Sequence, residues 1–143
     1  MSHDKSPYAI FSHNALRIAV GIIFFTIGAS KLFGWFGGFG PDGGTAELMG
    51  RFGIAGILET FGGILIALGL FTRPTAFILS GQMAVAYFWI HVAGNGSLWW
   101  WSNGGERAML YSFIFLALSA LGAGTLSLDA KIAQRKAGAA PTD

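Results

Sequence analysis

Two oppositely charged residues lie inside stretches of sequence that are otherwise apolar. Glu59 belongs to the run 54–71, and Lys31 lies near the end of the run 15–36. An unpaired carboxylate inside a bilayer costs about 2.5–3.5 kcal/mol, so Glu59 must be paired, protonated or turned towards a polar cavity. Antiparallel helices would bring Lys31 to a similar depth, which predicts a Lys31–Glu59 ion pair. Such a pair either fixes helix register or forms a binding and proton-handling site.

An imidazole is expected at the same level as this pair. His91 lies at the end of the apolar run 75–92, and Tyr87 lies one turn earlier on the same helix face. Imidazole exchanges protons near neutral pH, so Glu59 and His91 are the predicted catalytic residues and Tyr87 is a predicted ligand-binding residue. The alternative for His91 is a simple contact with lipid headgroups.

Glu106 and Arg107 directly precede the last apolar run, 108–124. They are predicted to bind a ligand together with Lys31, although Glu106 would also be favourable there as a charge at a helix N-terminus. All these polar groups are expected in the outer half of the membrane. The inner half of the bundle is expected to be almost purely apolar.

The residue types favour an organic ligand over a metal. The chain has no cysteine, which excludes thiol chemistry and Cys-based metal sites. Carboxylate and imidazole are present, but no local pair of ligands such as Glu-x-x-His occurs, and Lys31 and Arg107 already offer compensating charge. We therefore expect no metal, and a quinone or a small acidic molecule as the bound compound.

Four apolar runs, each near the ~20 residues that a helix needs to cross ~30 Å of hydrocarbon, must position these groups. The 143-residue chain is 53% hydrophobic and only 11% charged, against roughly 25% charged in soluble domains. The runs lack the alternation of membrane strands. An all-α integral membrane four-helix bundle with short loops is predicted. Gly56, Gly63 and Ala67 recur at helical spacing, which predicts close helix packing. The runs are residues 15–36, 54–71, 75–92 and 108–124.

The segments between the runs contain typical helix-ending residues. Residues 34–44 are rich in glycine and predict a loop, and residues 45–52 predict a short interfacial helix before the second span. Residues 71–74 predict a tight turn, with Pro74 in the first turn of the next helix. Residues 93–105 carry three consecutive tryptophans, which are expected at the level of the lipid headgroups.

The basic residues predict the orientation. With both termini on one side, six basic residues fall on that side and three on the other, which places both termini in the cytoplasm under the positive-inside rule. Residues 1–14 are then a cytoplasmic segment, 15–129 the transmembrane domain and 130–143 a basic cytoplasmic helix fraying into a tail. The tail favours anionic lipid over nucleic acid, because no basic run is interleaved with aromatic residues. Reading the first run as a signal peptide would require a shorter apolar stretch. The six are Lys5, Arg17, Arg73, Lys131, Arg135 and Lys136; the three are Lys31, Arg51 and Arg107.

At these residues the chain resembles the DoxX family of small four-span membrane proteins, which includes the DoxD-like subunits of thiosulfate:quinone oxidoreductases. The resemblance implies a bacterial cytoplasmic-membrane protein, with Lys31, Glu59, Asn103 and Glu106 as the family-like polar positions. The stretches that carry it are LRIAVGIIFFTIGASKLFG at residues 16–34, GILETFGGILIALGLFTRPTA at 56–76, NGGERAMLYSFIFLAL at 103–118 and SLD at 127–129.

Two hypotheses place the protein in different functional classes. In the first, the protein is the membrane subunit of a quinone-linked oxidoreductase, with a sulfur compound as one candidate substrate. In the second, it is a non-catalytic binding or assembly subunit in which the Lys31–Glu59 pair is structural. A protein partner or a second copy of the chain would then dock on the tryptophan loop or the basic tail. Transport is a weaker third option, because four helices would need to oligomerise to line a path.

Overall fold

The computed structural model describes residues 6–138, and that range is helical with no β-strand. The predicted all-α class is confirmed. The third helix contains a π-helical segment, Ala86–Val92. The helices are α1 (Pro7–Phe33), α2 (Arg51–Leu68), α3 (Thr72–Asn95), α4 (Trp100–Asn103), α5 (Glu106–Leu121) and α6 (Leu128–Gly138).

Three of the four apolar runs form helices long and apolar enough to cross a membrane. These are α1, α2 and α3, with 27, 18 and 24 residues. Helix α5 has 16 residues, which corresponds to about 24 Å and falls short of the ~30 Å of a hydrocarbon core. Membrane-spanning length is therefore confirmed for three runs, and the four-helix bundle stays a prediction.

Helix α1 begins earlier than its apolar run. Pro7 occupies the first turn, and the Ser6 hydroxyl accepts a hydrogen bond from the backbone N–H of Ala9 at 3.2 Å. The helix ends at Phe33, and Gly34 caps it in a left-handed conformation with a φ of 71°, its N–H donating to the carbonyl of Ser30. Because the helix starts at Pro7, Arg17 lies well inside it.

The segment before α2 differs from the prediction. The predicted interfacial helix over residues 45–52 is wrong, because residues 45–50 are not helical, with a turn only at 48–49, and α2 starts at Arg51. Gly50 is extended, with φ −78° and ψ 165°, where the helix begins. The N–H of Ala46 donates to the carbonyl of Lys31 at 2.7 Å, so the chain folds back onto the end of α1.

The chain divides into two compact units, the first made of residues up to Thr72 and from Gly122 onwards, the second of Arg73–Leu121. The basic tail helix predicted from residue 130 belongs to the first unit and is helix α6. The predicted fraying of residues 139–143 lies outside the described residues.

Glycines bring α1 and α2 into backbone contact in the first unit. A Cβ added to Gly21 would lie 2.5 Å from the backbone nitrogen of Ala67, and one added to Gly28 would overlap that of Thr60. A Cβ on Gly63 would likewise overlap backbone of α1. The two helices therefore run antiparallel with their backbones touching, and the predicted close packing of the small residues is confirmed.

Hydrogen bonds fix the register of α3 and α5 in the second unit. The hydroxyl of Ser80 donates to the carbonyl of Ser112 at 2.8 Å, and the hydroxyl of Ser112 donates to the carbonyl of Ser80 at 3.1 Å. At one end of the pair, Arg73 donates to the carbonyls of Ser119 and Ala120 at 3.3 and 2.7 Å. These two helices are also antiparallel.

Candidate functional site

The Lys31–Glu59 ion pair predicted from sequence is present. The Lys31 Nζ atom lies 2.8 Å from Oε1 and 2.7 Å from Oε2 of Glu59, so one ammonium bonds both carboxylate oxygens. The two side chains are 15% and 2% exposed. The carboxylate is thus buried, whereas part of the ammonium-bearing side chain can still be reached from outside.

Local structure on both helices holds this pair in place. Lys31 lies in the last turn of α1, where a positive charge is favourable beside the helix C-terminus. A Cβ added to Gly56 would lie 3.1 Å from the Lys31 Cβ, so this glycine makes room for the lysine stem. The hydroxyl of Thr60, the neighbour of Glu59, donates to the carbonyl of Gly56 and stays within its own helix. The carboxylate is therefore directed at Lys31 by a tightly packed helix pair.

The second unit contains a network of polar side chains at the end of α3. Tyr87 is 5% exposed, and its hydroxyl donates to the carbonyl of Leu98. His91 Nδ1 lies 3.3 Å from the carbonyl oxygen of Asn103, and Asn95 Nδ2 donates to that same oxygen at 3.2 Å. Both predicted residues of α3 thus contact the loop that follows it. They lie in the π-helical segment, a feature that is frequent at functional sites.

Asn103 is the centre of this loop. Its Nδ2 donates to the carbonyl of Ser97 at 3.0 Å, and its Oδ1 accepts the N–H of Gly105 at 2.7 Å. The side chain is buried, at 5% exposure. Both ends of the amide therefore bind backbone, and Asn103 fixes the turn that leads into α5.

Glu106 and Arg107 occupy the first turn of α5, where both are exposed. Of the predicted site residues, the structure joins Lys31 with Glu59 in the first unit. In the second unit, His91 and Asn103 are joined through the Asn103 carbonyl. A metal site was not predicted, and within residues 6–138 no group of three or more His, Cys, Asp or Glu residues is placed to hold a metal ion.

Arg17 is an important residue for which the sequence predicted only a position on the cytoplasmic side. It is fully buried, and its Nη1 donates to the carbonyls of Ile66 and Ala67 at 2.6 Å each, while Nη2 donates to the carbonyl of Leu126. The part of the helix pair away from Lys31 and Glu59, which was expected to be almost purely apolar, therefore contains a buried arginine. The signal was available, because a charge inside an apolar helix requires specific partners.

The SLD stretch, residues 127–129, belongs to the polar cluster around Arg17. The Asp129 carboxylate accepts the N–H groups of Phe71 and Thr72 at 2.9 and 3.0 Å and so caps the start of α3. The backbone N–H of Asp129 donates to the carbonyl of Gly69 at 2.9 Å. The turn lies at residues 69–71 and not at the predicted 71–74, because the helix already begins at Thr72, with Pro74 in its first turn as predicted. Phe71 adopts a φ of 49°, which is unusual for a residue with a side chain. Asp129 also interacts electrostatically with Arg17.

Long apolar helices with buried, mutually paired charges define an α-helical membrane protein. The sequence profile of DoxX matches residues 13–92, more than half of the chain. An uncharacterised protein of Haemophilus influenzae is 46% identical over 121 residues, which cover 81% of this chain and 87% of the relative. No solved structure matches the chain. The protein belongs to the DoxX family.

Proposed function

We propose that this protein is a four-span subunit of a quinone-linked redox system in the bacterial cytoplasmic membrane, with both termini in the cytoplasm. The observation that carries the proposal is the unequal burial of the ion pair. Glu59 is 2% exposed and Lys31 is 15% exposed. A buried carboxylate paired with a partly exposed lysine side chain suits a ligand that presents an oxygen to Lys31 and exchanges a proton with Glu59.

A quinone has the required chemistry. Its carbonyl oxygen would accept a hydrogen bond from Lys31 Nζ, and its reduction to a quinol takes up two electrons and two protons. Glu59 or His91 is the proposed proton carrier. The chain has no cysteine for a thiol or an iron–sulfur centre, so the electrons are assigned to a partner subunit. A small acidic sulfur compound is the second candidate ligand for the ammonium.

A non-catalytic assembly role is the alternative, and one observation favours it. Both oxygens of Glu59 are already bonded to Lys31 Nζ, at 2.8 and 2.7 Å, beside helices in backbone contact. A pair satisfied in this way can serve only to set helix register. Exposed surfaces of the subunit would then bind a protein partner or a second copy of the chain.

The two roles are separated by the small molecules that co-purify with the protein. Wild-type protein, Glu59→Gln and Lys31→Met are purified in mild detergent, and their extracts are compared by mass spectrometry. Glu47→Gln serves as the matched control, because Glu47 is an exposed carboxylate of the same unit. A stoichiometric quinone that is lost only in the two site variants, with circular dichroism unchanged, supports the redox role.

An empty wild-type protein whose site variants unfold would overturn the redox role and support the structural pair. Orientation is tested separately. Because the chain has no cysteine, single substitutions such as Ser102→Cys and Lys136→Cys give unambiguous labels for an impermeant maleimide. The proposal requires Lys136→Cys to react only from the cytoplasmic side and Ser102→Cys only from the other side.

A further inference from the structure

The loop between α3 and α5 exposes a compact aromatic surface formed by residues 98–101. Trp99, Trp100 and Trp101 are 53%, 39% and 65% exposed, and Leu98 is 57% exposed. The rings of Trp99 and Trp101 stack with centroids 4.8 Å apart, and Trp100 meets Trp101 edge-on at 4.9 Å. We refer to these four residues as the tryptophan surface.

Hydrogen bonds within the loop hold this surface in one shape. The hydroxyls of Ser97 and Ser102 lie 2.6 Å apart on either side of the tryptophans, and the carbonyl of Trp99 accepts the Ser102 hydroxyl at 3.0 Å. Asn103 Nδ2 donates to the carbonyl of Ser97 and closes the same loop. The exposed indoles therefore stand on a hydrogen-bonded frame.

Side chains of helix α3 contact backbone carbonyls on both sides of the tryptophans. The hydroxyl of Tyr87 donates to the carbonyl of Leu98, directly before the tryptophans. The side chains of His91 and Asn95 contact the carbonyl oxygen of Asn103, two residues after Trp101. Because α3 is long and apolar enough to span a membrane and ends at Asn95, the tryptophan surface is fixed relative to the end of a membrane helix.

The chemistry of the surface selects its partner. Indole combines a large apolar ring with one N–H donor, and tryptophan is enriched where bilayer and water meet. No charged residue occurs between Gly94 and Gly105, so the surface offers no ionic contact to a protein or a nucleic acid. We propose that the tryptophan surface is a preformed anchor that lies in the headgroup and carbonyl layer of the bilayer, and that Tyr87 is its positioning residue.

Depth-dependent fluorescence quenching tests this contact independently of the redox proposal. Trp35→Phe/Trp89→Phe protein retains only three of the five tryptophans, those at 99–101. It is reconstituted into phosphatidylcholine vesicles brominated either near the carbonyl end or near the methyl end of the acyl chains, and aqueous acrylamide is added to unbrominated vesicles. Strong quenching by shallow bromine, weaker quenching by deep bromine and little quenching by acrylamide are expected.

Two other patterns would overturn the proposal. Quenching mainly by acrylamide would place the indoles in water. Protection from both bromine positions and from acrylamide would mean that a protein surface, such as a second copy of the chain, covers them. Size-exclusion chromatography of the same variant in mild detergent shows whether two copies of the chain associate.

The role of Tyr87 is tested in the same background. Tyr87→Phe removes the hydroxyl and keeps the ring, so the fraction of loop released from α3 should rise about fivefold, as for the loss of one hydrogen bond. Acrylamide quenching should increase accordingly. Tyr8→Phe is the matched control, because Tyr8 is 79% exposed. Ser97→Ala loosens the frame without touching α3 and should act in the same direction. Equal quenching in Tyr87→Phe and Tyr8→Phe would refute the positioning role.

Discussion

The helix pairs α1–α2 and α3–α5 use the same contact in two different environments. In each pair, an arginine of the first helix donates to carbonyls in the last turn of the second helix. Arg17 binds Ile66 and Ala67, and Arg73 binds Ser119 and Ala120. Carbonyls in the last turn of a helix lack the usual N–H donor four residues further on and carry the negative end of the helix dipole. The Ile66 carbonyl also accepts the N–H of the cap residue Gly69. The difference is that Arg17 is fully buried, whereas Arg73 is exposed.

This difference shows how burial decides what a contact requires. An exposed arginine can replace a lost acceptor with water or headgroups, and its net contribution is small. A buried arginine needs more partners, and Arg17 has them in the carbonyl of Leu126 and the carboxylate of Asp129. The first pair therefore includes the segment after α5, which His13 and Asn14 also bind.

The other ends of the two pairs also differ. The α1–α2 pair holds the ionic Lys31–Glu59 contact, whereas at the end of α3 Tyr87 and His91 form hydrogen bonds to backbone carbonyls of the following loop. Ionic contacts at low exposure are sensitive to the loss of one partner, because the other charge is left without compensation. Substitutions in the first unit should accordingly have the larger effects.

The largest effect is expected for Arg17→Met. The substitution removes three hydrogen bonds donated by a buried guanidinium and leaves their carbonyl acceptors without this donor, so the free energy of unfolding should fall by about 3–5 kcal/mol. Arg73→Met, the matched variant of the exposed arginine, should lower it by about 0.5–1 kcal/mol. Denaturant titration in mixed micelles measures both. Equal losses would contradict the argument from burial.

The ion pair should respond asymmetrically. Lys31→Met leaves a carboxylate that is 2% exposed without its ammonium, so we expect a loss of about 2.5–3.5 kcal/mol. Glu59→Gln should be milder, because the long Lys31 side chain can extend its charge towards the interface. A double-mutant cycle gives the coupling between the two residues. Lys131→Met, at an exposed position, is the control, and a larger loss in Glu59→Gln than in Lys31→Met would refute the assignment.

Glycine packing gives a third comparison. In Gly28→Ala the new methyl group overlaps the backbone of Thr60, which should force the helices apart and lower stability by about 1–3 kcal/mol. Gly81→Ala is the control, because no atom lies within 4 Å of its added Cβ. Alanine favours a helix over glycine by about 1 kcal/mol, so the control should be neutral or stabilising. Thermal unfolding followed by circular dichroism distinguishes the two.

The smallest effect is expected for Ser80→Ala. It removes the hydroxyl that donates to the carbonyl of Ser112, and interhelical hydrogen bonds in membranes contribute about 0.6 kcal/mol on average. Ser119→Ala is the control, because the Ser119 hydroxyl bonds only the carbonyl of Leu116 in its own helix among the contacts resolved within residues 6–138. A loss above that of Gly28→Ala would mean that α3 and α5 depend on this bond more than on apolar packing.

The sequence predicted the helices and the Lys31–Glu59 pair because a charge in an apolar run has few ways to be compensated. It did not predict the environment of Arg17, because the acceptors of this arginine are backbone carbonyls, and a backbone carbonyl cannot be recognised from residue type. The start of α1 at Pro7 was missed because the first turns of the helix are not strongly apolar. Asn103 was identified only through resemblance, because an amide that binds backbone on both sides has no characteristic spacing.

The position of Leu126 and Asp129 along the chain has a consequence for biosynthesis. Translation delivers α1 and α2 long before these two residues, and domains assemble as the chain emerges. During that interval Arg17 lacks one of its acceptors, and the first N–H groups of α3 lack their carboxylate cap. The nascent chain therefore passes through a stage in which α1 and α2 are present but the contacts made by Leu126 and Asp129 are not yet formed. A ribosome that stalls before residue 126 should release a product that membrane proteases remove selectively.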